Sequence, residues 1–187
     1  NYLNPYSATE SKQFIKAIEN HRLEALFYLT LVLGLKQGEV LGLCWDKIDF
    51  EGQELTVSRI LQRVDGEYIL LNPKSPSSRR TIPLPPSAMT ILKHHRIKQL
   101  EERLRAGPNW IANKLIFTTP IGRPLSDTHV RQQFYNILKN SGLRWQRFQD
   151  LRHTCASLLL THNVHPKIVM ETLGHSTISF TINTYQK

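Results

Sequence analysis

Lys36, Lys74, Arg152, His175 and Tyr185 are of the types that could act together on a phosphodiester. Phosphoryl transfer without a metal needs cations around the phosphate and a nucleophile supplied by the protein. Arginine suits the first task because its planar fork engages two phosphate oxygens at once. A tyrosine nucleophile would keep the energy of the broken ester in a new phosphodiester, so a strand could be rejoined without ATP. Taken singly, a tyrosine is more often packing and an arginine more often a solvated charge. The stretch 149–185 concentrates the exceptions. There Gln149-Asp150-Leu151-Arg152-His153, Leu173-Gly174-His175 and Tyr185 interrupt an otherwise apolar helical sequence.

The charge balance points to a polyanion. Lys plus Arg number 24 against 15 acids, a net +9 with a pI near 9.8, and an excess of this size favours nucleic acid as partner. Residues 72–105 hold eight cations against two acids, Glu101 and Glu102. The carboxylates form no cluster of the kind a two-metal nuclease needs: Asp46 and Asp49 flank a turn, and Glu101-Glu102 share a charged helix. His162 and His165 lack a cysteine pair or a matching His/Asp partner for zinc and read as surface or capping residues. No metal or cofactor is expected. Cys44 and Cys155 lie far apart beside apolar neighbours and read as buried free thiols. No apolar run approaches the roughly twenty residues of a membrane span, and no signal peptide opens the chain. The expected location is cytoplasmic, with no membrane partner.

The elements that must position these residues are mostly helical. Ser7-Ala8-Thr9-Glu10 has the form of a capping box ahead of a first helix. Residues 22–34 are apolar nearly all round, which predicts a central core helix ended by Gly34. A short helix over Gln37–Leu43 follows. Residues 54–60 alternate as a strand, Asp65-Gly66 marks a hairpin turn, Glu67–Leu71 returns, and Arg80–Leu84 forms a third strand. Helices are predicted over about 87–105 and 127–140. Another begins near residue 149 with Leu151, Cys155, Leu158 and Leu159 as its buried stripe. Pro166 opens the next and Gly174 closes it, which places His175 just past a helix end, where it is aimed rather than packed. Ser176 or Thr177 is expected to cap a last short helix carrying Tyr185. The fold class expected is α+β, mostly helical, with a small three-stranded antiparallel sheet, in one domain.

Four segments, in this order, resemble the motifs of the tyrosine recombinase (phage integrase) family. Gly34-Leu35-Lys36-Gln37-Gly38-Glu39-Val40-Leu41 resembles the first-arginine motif. Asn72-Pro73-Lys74 through Arg79-Arg80-Thr81-Ile82-Pro83-Leu84 resembles the hairpin that carries the catalytic lysine. Gln149-Asp150-Leu151-Arg152-His153-Thr154 resembles the His-x-x-Arg motif, and Leu173-Gly174-His175 with Tyr185 resembles the closing motif and nucleophile. The resemblance covers essentially the whole chain. It implies site-specific DNA recombination, with double-stranded DNA as the partner and a 3′-phosphotyrosyl intermediate formed by Tyr185. Arg152 and the residue at position 36 would hold the non-bridging oxygens, Lys74 would protonate the leaving 5′ oxygen, and His175 would donate to a phosphate oxygen. Glu39 would support the arginine cluster, and His153 would pack. Arg79, Arg80 and Arg147 are expected to touch phosphates.

Two positions depart from the pattern. Lys36 stands where the family has arginine, and Gln149 where it usually has histidine. Lysine keeps the charge and loses the fork. Losing one such transition-state contact costs on the order of 2.7–4 kcal/mol, about 10²–10³ in rate. Glutamine donates a hydrogen bond but cannot shuttle a proton. Weakened cleavage is therefore expected; the alternative is a catalytically silent DNA-binding module derived from a recombinase. A type IB topoisomerase-like enzyme would share the chemistry but matches these motifs less closely. The family's N-terminal DNA-binding domain and C-terminal extension lie outside residues 1–187. The expectation is a catalytic domain that is monomeric alone and part of a tetramer on DNA when full length.

Overall fold

A computed structural model describes residues 4–175. Among them the chain forms seven α-helices and five short strands. Helix α1 (Ala8–Ala17) starts on the expected box: the Glu10 amide donates to Ser7 Oγ at 3.1 Å and the Ser7 amide to Glu10 Oε1 at 3.1 Å. Helix α2 (Glu24–Leu33) is the centre of the core, with Leu26, Phe27 and Leu29 fully buried. Around it Phe14 of α1, Phe27, Phe134 of α5 (Asp127–Ser141) and Phe148 pack ring against ring, with centroids 5.6–6.3 Å apart.

Helix α2 stops at Gly34, whose φ of 63° is left-handed. That glycine serves a second purpose. A Cβ there would lie 2.3 Å from Leu173 Cδ2 and 3.2 Å from Cys155 Sγ. The absence of a side chain is what lets α6 (Asp150–Thr161) and α7 (Pro166–Leu173) close on the end of α2. Helix α3 (Gln37–Leu41) follows α2 after three residues, and α4 (Pro86–Ala106) is the longest of the helices described at 21 residues. Both cysteines are buried free thiols, and His165 caps α7 by accepting from the Lys167 amide, as a capping residue should. No helix among the described residues is long and apolar enough to cross a membrane.

The three-stranded antiparallel sheet is present, with different members. Strands β1 (Ile48–Asp49), β2 (Glu54–Val57) and β5 (Arg80–Pro83) form it in the order β1-β2-β5, with Leu55 opposite Ile82 in the core. The expected single strand 54–60 breaks after Val57. Leu55 and Val57 are buried, so continued alternation would drive Arg59 inward, and the chain turns with Arg59 exposed instead. Strands β3 (Ile60–Val64) and β4 (Glu67–Leu71) then pair with each other as a separate hairpin across Asp65-Gly66, both at positive φ. The hairpin lies on α3 and is tied to the start of α5 by the Tyr68 hydroxyl, which donates to Asp127 Oδ1 at 3.1 Å.

The seat of the hairpin on α3 is a glycine surface. A Cβ on Gly42 would meet the Leu61 backbone nitrogen at 2.8 Å and the Ile60 carbonyl carbon at 3.0 Å, whereas one on Gly38 first meets Leu61 O at 3.3 Å. Backbone cannot swing aside. Gly42→Ala is expected to cost about 1–3 kcal/mol by overpacking. Gly38→Ala should stay near neutral, because a gain of about 1 kcal/mol in helix propensity offsets its milder contact. Urea denaturation of the two variants checks this; equal midpoints would overturn it.

Candidate active site

Three of the motif residues converge where α2, α6 and α7 meet. Arg152, in the first turn of α6, is 7% exposed. Its Nη1 donates to Gly34 O at 2.6 Å and its Nη2 to Leu173 O at 2.7 Å. One fork thus joins the carbonyl that closes α2 to the carbonyl that closes α7. Lys36 lies two residues beyond the first, and His175 two residues beyond the second. The chain after α7 is fixed by its own backbone: the Gly174 amide donates to Glu171 O at 3.2 Å and the His175 amide to Met170 O at 3.0 Å. This is a Schellman termination with Gly174 at φ 68°.

Glu39, 1% exposed, supports the cluster from α3. Its Oε2 accepts from the Lys36 amide at 2.9 Å, which caps α3 and sets the start of that helix. The same carboxylate grips Arg80, with Nη1 to Oε1 at 2.9 Å and Nη2 to Oε2 at 3.1 Å. Arg80 is therefore not a surface phosphate contact. Its side chain is 7% exposed, and it also donates from Nε to Thr172 O at 2.6 Å and from Nη1 to Ser78 O at 3.0 Å. The sequence carried a signal for this inward aim. Arg80 and Ile82 are two apart on one strand and so share a face, and Ile82 is core. Arg79, one residue earlier, faces solvent as expected. Arg147 is 39% exposed and already paired, its Nη2 donating to Asp150 Oδ1 at 2.9 Å.

Lys74 is exposed in the loop after β4 and shares with Lys36 a groove of about 310 Å³ between α3 and the hairpin. Glu39, Gln62, Pro73 and Ser78 also line it. Gln149 is exposed at the start of α6, one helical turn ahead of Arg152 and so on the same face. Tyr185 lies outside the described residues. A larger cavity of about 560 Å³, lined by His21, Arg22, Arg123 and His129 among others, contains none of the motif residues. Among the described residues no group of three His, Cys, Asp or Glu side chains is placed to hold a metal ion.

The electrostatics of the pocket are one-sided. Burial first, and then the charges of Arg152, Lys36, Arg80 and His153, push the His175 imidazole down to about 4. Lys36 is exposed at the rim of the groove, yet partial burial and the neighbouring Arg152 hold its ammonium below the ordinary lysine range, with Glu39 opposing. Burial likewise lowers His153, against the pull of Asp150. At neutral pH His175 is therefore an uncharged imidazole, a hydrogen-bond donor beside fixed cations. Such a pocket suits one phosphate group, whose charge would relieve the repulsion.

The depressed imidazole sets a pH dependence. Its folded value of about 4 lies below the ordinary 6.5, so the unfolded chain binds the extra proton first as pH falls. This site contributes stability above pH 6.5 that is lost progressively as pH falls toward 4. An NMR titration of the His175 ring should give a midpoint near 4 in the free protein, rising in Lys36→Met and staying low in Lys36→Arg. A midpoint at the ordinary value would overturn the convergence of cations on this side chain.

Comparison with known proteins places the chain. The family model described as "Phage integrase family" matches residues 6–187. A tyrosine recombinase XerC-like protein of Caldanaerobacter subterraneus subsp. tengcongensis is 38% identical over 195 residues, covering 98% of this chain and 50% of that protein. The chain thus spans about half the length of that relative. Among solved structures, the Tn1549 transposon integrase in complex with circular intermediate DNA is similar at a TM-score of 0.84 and 21% identity, over 99% of this chain and 63% of that one. The catalytic domain of bacteriophage HP1 integrase is similar at a TM-score of 0.60 and 17% identity, over 97% of this chain and 86% of that one. The helices and small sheet described above are thus the fold of such proteins, and the chain belongs to the phage integrase, or tyrosine recombinase, family.

Proposed function

We propose that residues 1–187 are the catalytic domain of a site-specific DNA recombinase that cuts and rejoins strands through a 3′-phosphotyrosyl link. The observation that carries the reading is the convergence on one cationic pocket of Arg152 and His175 with Lys36, which lies more than a hundred residues before them in the chain. Tyr185 Oη gives its own proton to water and attacks the scissile phosphorus, the new O–P bond forms as the bond to the 5′ oxygen breaks, and the leaving oxygen takes a proton. Lys74, exposed on the groove that Lys36 shares, is the acid for that proton. Arg152 and Lys36 hold the non-bridging oxygens, and neutral His175 donates to one of them. Gln149 adds a hydrogen bond from the same face of α6. Neither a metal nor a cofactor enters these steps.

The partner is double-stranded DNA, and the reaction belongs to the cytoplasm. Exchange between two duplexes requires four active sites, so the working form on DNA is a tetramer of the full-length protein, with this domain monomeric alone. The similar transposon integrase was solved on DNA, which supports the choice of partner. Lys36 and Gln149 favour a second reading, a module that binds DNA without cutting it. Lys36 supplies charge without orientation, so cleavage slows while binding persists.

Trapping on a nicked suicide duplex separates these readings. A slow covalent adduct should form that Tyr185→Phe abolishes without loss of DNA binding. Lys36→Arg should accelerate it about 10²–10³-fold. If neither form yields a Tyr185-dependent adduct, the domain is the silent module. The exposed Arg79 should behave as a phosphate contact: Arg79→Ala lowers the slope of log K against log salt by about 0.9 and leaves sequence preference unchanged. An unaltered slope removes Arg79 from the interface.

A further inference from the structure

Arg80 belongs to none of the groups assigned to the chemistry, yet it touches the segments that carry three of them, Lys36, Lys74 and His175. It sits on β5, with Val57 as its cross-strand neighbour, and points into the protein. Its guanidinium makes four hydrogen bonds to three separate segments. Nη1 reaches Ser78 O, in the loop that begins at Lys74. Nη1 and Nη2 hold the Glu39 carboxylate, which in turn accepts from the Lys36 amide. Nε donates to Thr172 O, three residues before His175. Gly174 packs directly on the arginine: a Cβ there would fall 3.0 Å from Arg80 Nη1 and 3.2 Å from its Cδ.

We propose that Arg80 is a positioning residue, a buried strut that fixes the Lys74 loop, the Lys36 backbone and the turn bearing His175 relative to one another. This rests on the reading of the pocket as a strand-cleaving site, and it assigns Arg80 a role without contact to DNA. Only a planar fork satisfies the geometry. The two carboxylate oxygens of Glu39 and two carbonyls lie in different directions, and an ammonium on a flexible stem cannot meet all of them at once. In Arg80→Lys the charge stays and the cross-links go. Lys74, Lys36 and His175 then remain present but are no longer held in register, and reactions that depend on positioning are sensitive to small displacements.

The test compares Arg80→Lys with Arg80→Gln, each in the Lys36→Arg background and in the unaltered chain. In the DNA-free protein, the His175 midpoint should rise by about one unit or more in Arg80→Lys, because the loosened turn exposes the ring to water. A midpoint that moves in Arg80→Gln only would reduce the role of Arg80 to its charge and overturn the strut. On saturating suicide DNA, adduct formation by Arg80→Lys should fall tenfold or more, with DNA affinity and salt slope unchanged. A slope lower by about one would make Arg80 a phosphate contact after all, and an unchanged rate would make it dispensable; either overturns the proposal. Should Arg80→Lys fail to fold, Glu39→Gln, which leaves one acceptor oxygen where the carboxylate has two, is expected to give the same rise and the same loss of rate. The NMR readout needs no cleavage, so failure of the recombinase reading and failure of the strut are told apart.

Discussion

The contact on which the site depends is the fork of Arg152 between Gly34 O and Leu173 O. Burying a guanidinium is costly unless its donors are met. Here the partners are carbonyls at the C-termini of two helices, where unsatisfied acceptors and the negative end of the helix dipole accumulate. Thr172 O, beside the second, is met by Arg80. Two cations thus cap α7, and the last carbonyls of that helix are satisfied by the same side chains that make the pocket positive. Gly34 and Gly174, both left-handed, are the backbone condition for this. A Cβ at Gly34 would push Leu173 away, and one at Gly174 would strike Arg80.

Concentrating like charge has a cost that the fold meets with little. Glu39 is the one carboxylate among the buried residues described, and it faces Arg80 while capping Lys36. Removing either member of such a buried pair costs about 3–5 kcal/mol, because the other is left uncompensated. Burial first, and the remaining repulsion after it, are expressed in the low imidazole of His175 and the lowered ammonium of Lys36. A pocket in this condition is stabilised by any anion that fits, since binding to the folded state alone shifts the folding equilibrium. Tension in the free protein and stabilisation by a fitting anion are one property seen from two sides.

Much of this was legible in the sequence because helix ends are chemically marked. The Ser7–Glu10 box, Gly34, Pro166 and Gly174 each fall where the pattern placed them, and so does His175 beyond the last turn. Strand membership was less legible. Alternation over 54–60 reads as one strand, and only the cost of burying Arg59 shows that the ladder must end at Val57. Arg80 was misread for a related reason. Two adjacent arginines look alike in a basic run, but the strand period sends one outward and one inward, and the pairing with Glu39 spans 41 residues of chain. A long-range ion pair leaves no local periodicity. It becomes visible only when the inward position is noticed and a buried acid is sought for it.

Lys36 and Arg152 differ in what the fold asks of them. Glu39 caps α3 through the backbone amide of residue 36, so any non-proline residue there supplies the same hydrogen bond. The side chain of Lys36 is exposed at the rim and is not among the buried core residues. A match of fold therefore carries no information about which side chain stands at 36. Arg152 is the opposite case. Its fork is bound up in the junction of α2 and α7, so replacing it would disturb that junction directly. A fold of this kind can therefore change the side chain at 36 while keeping its shape and its buried Arg152. The lysine at 36 is a residue that this architecture accommodates at the rim of the groove.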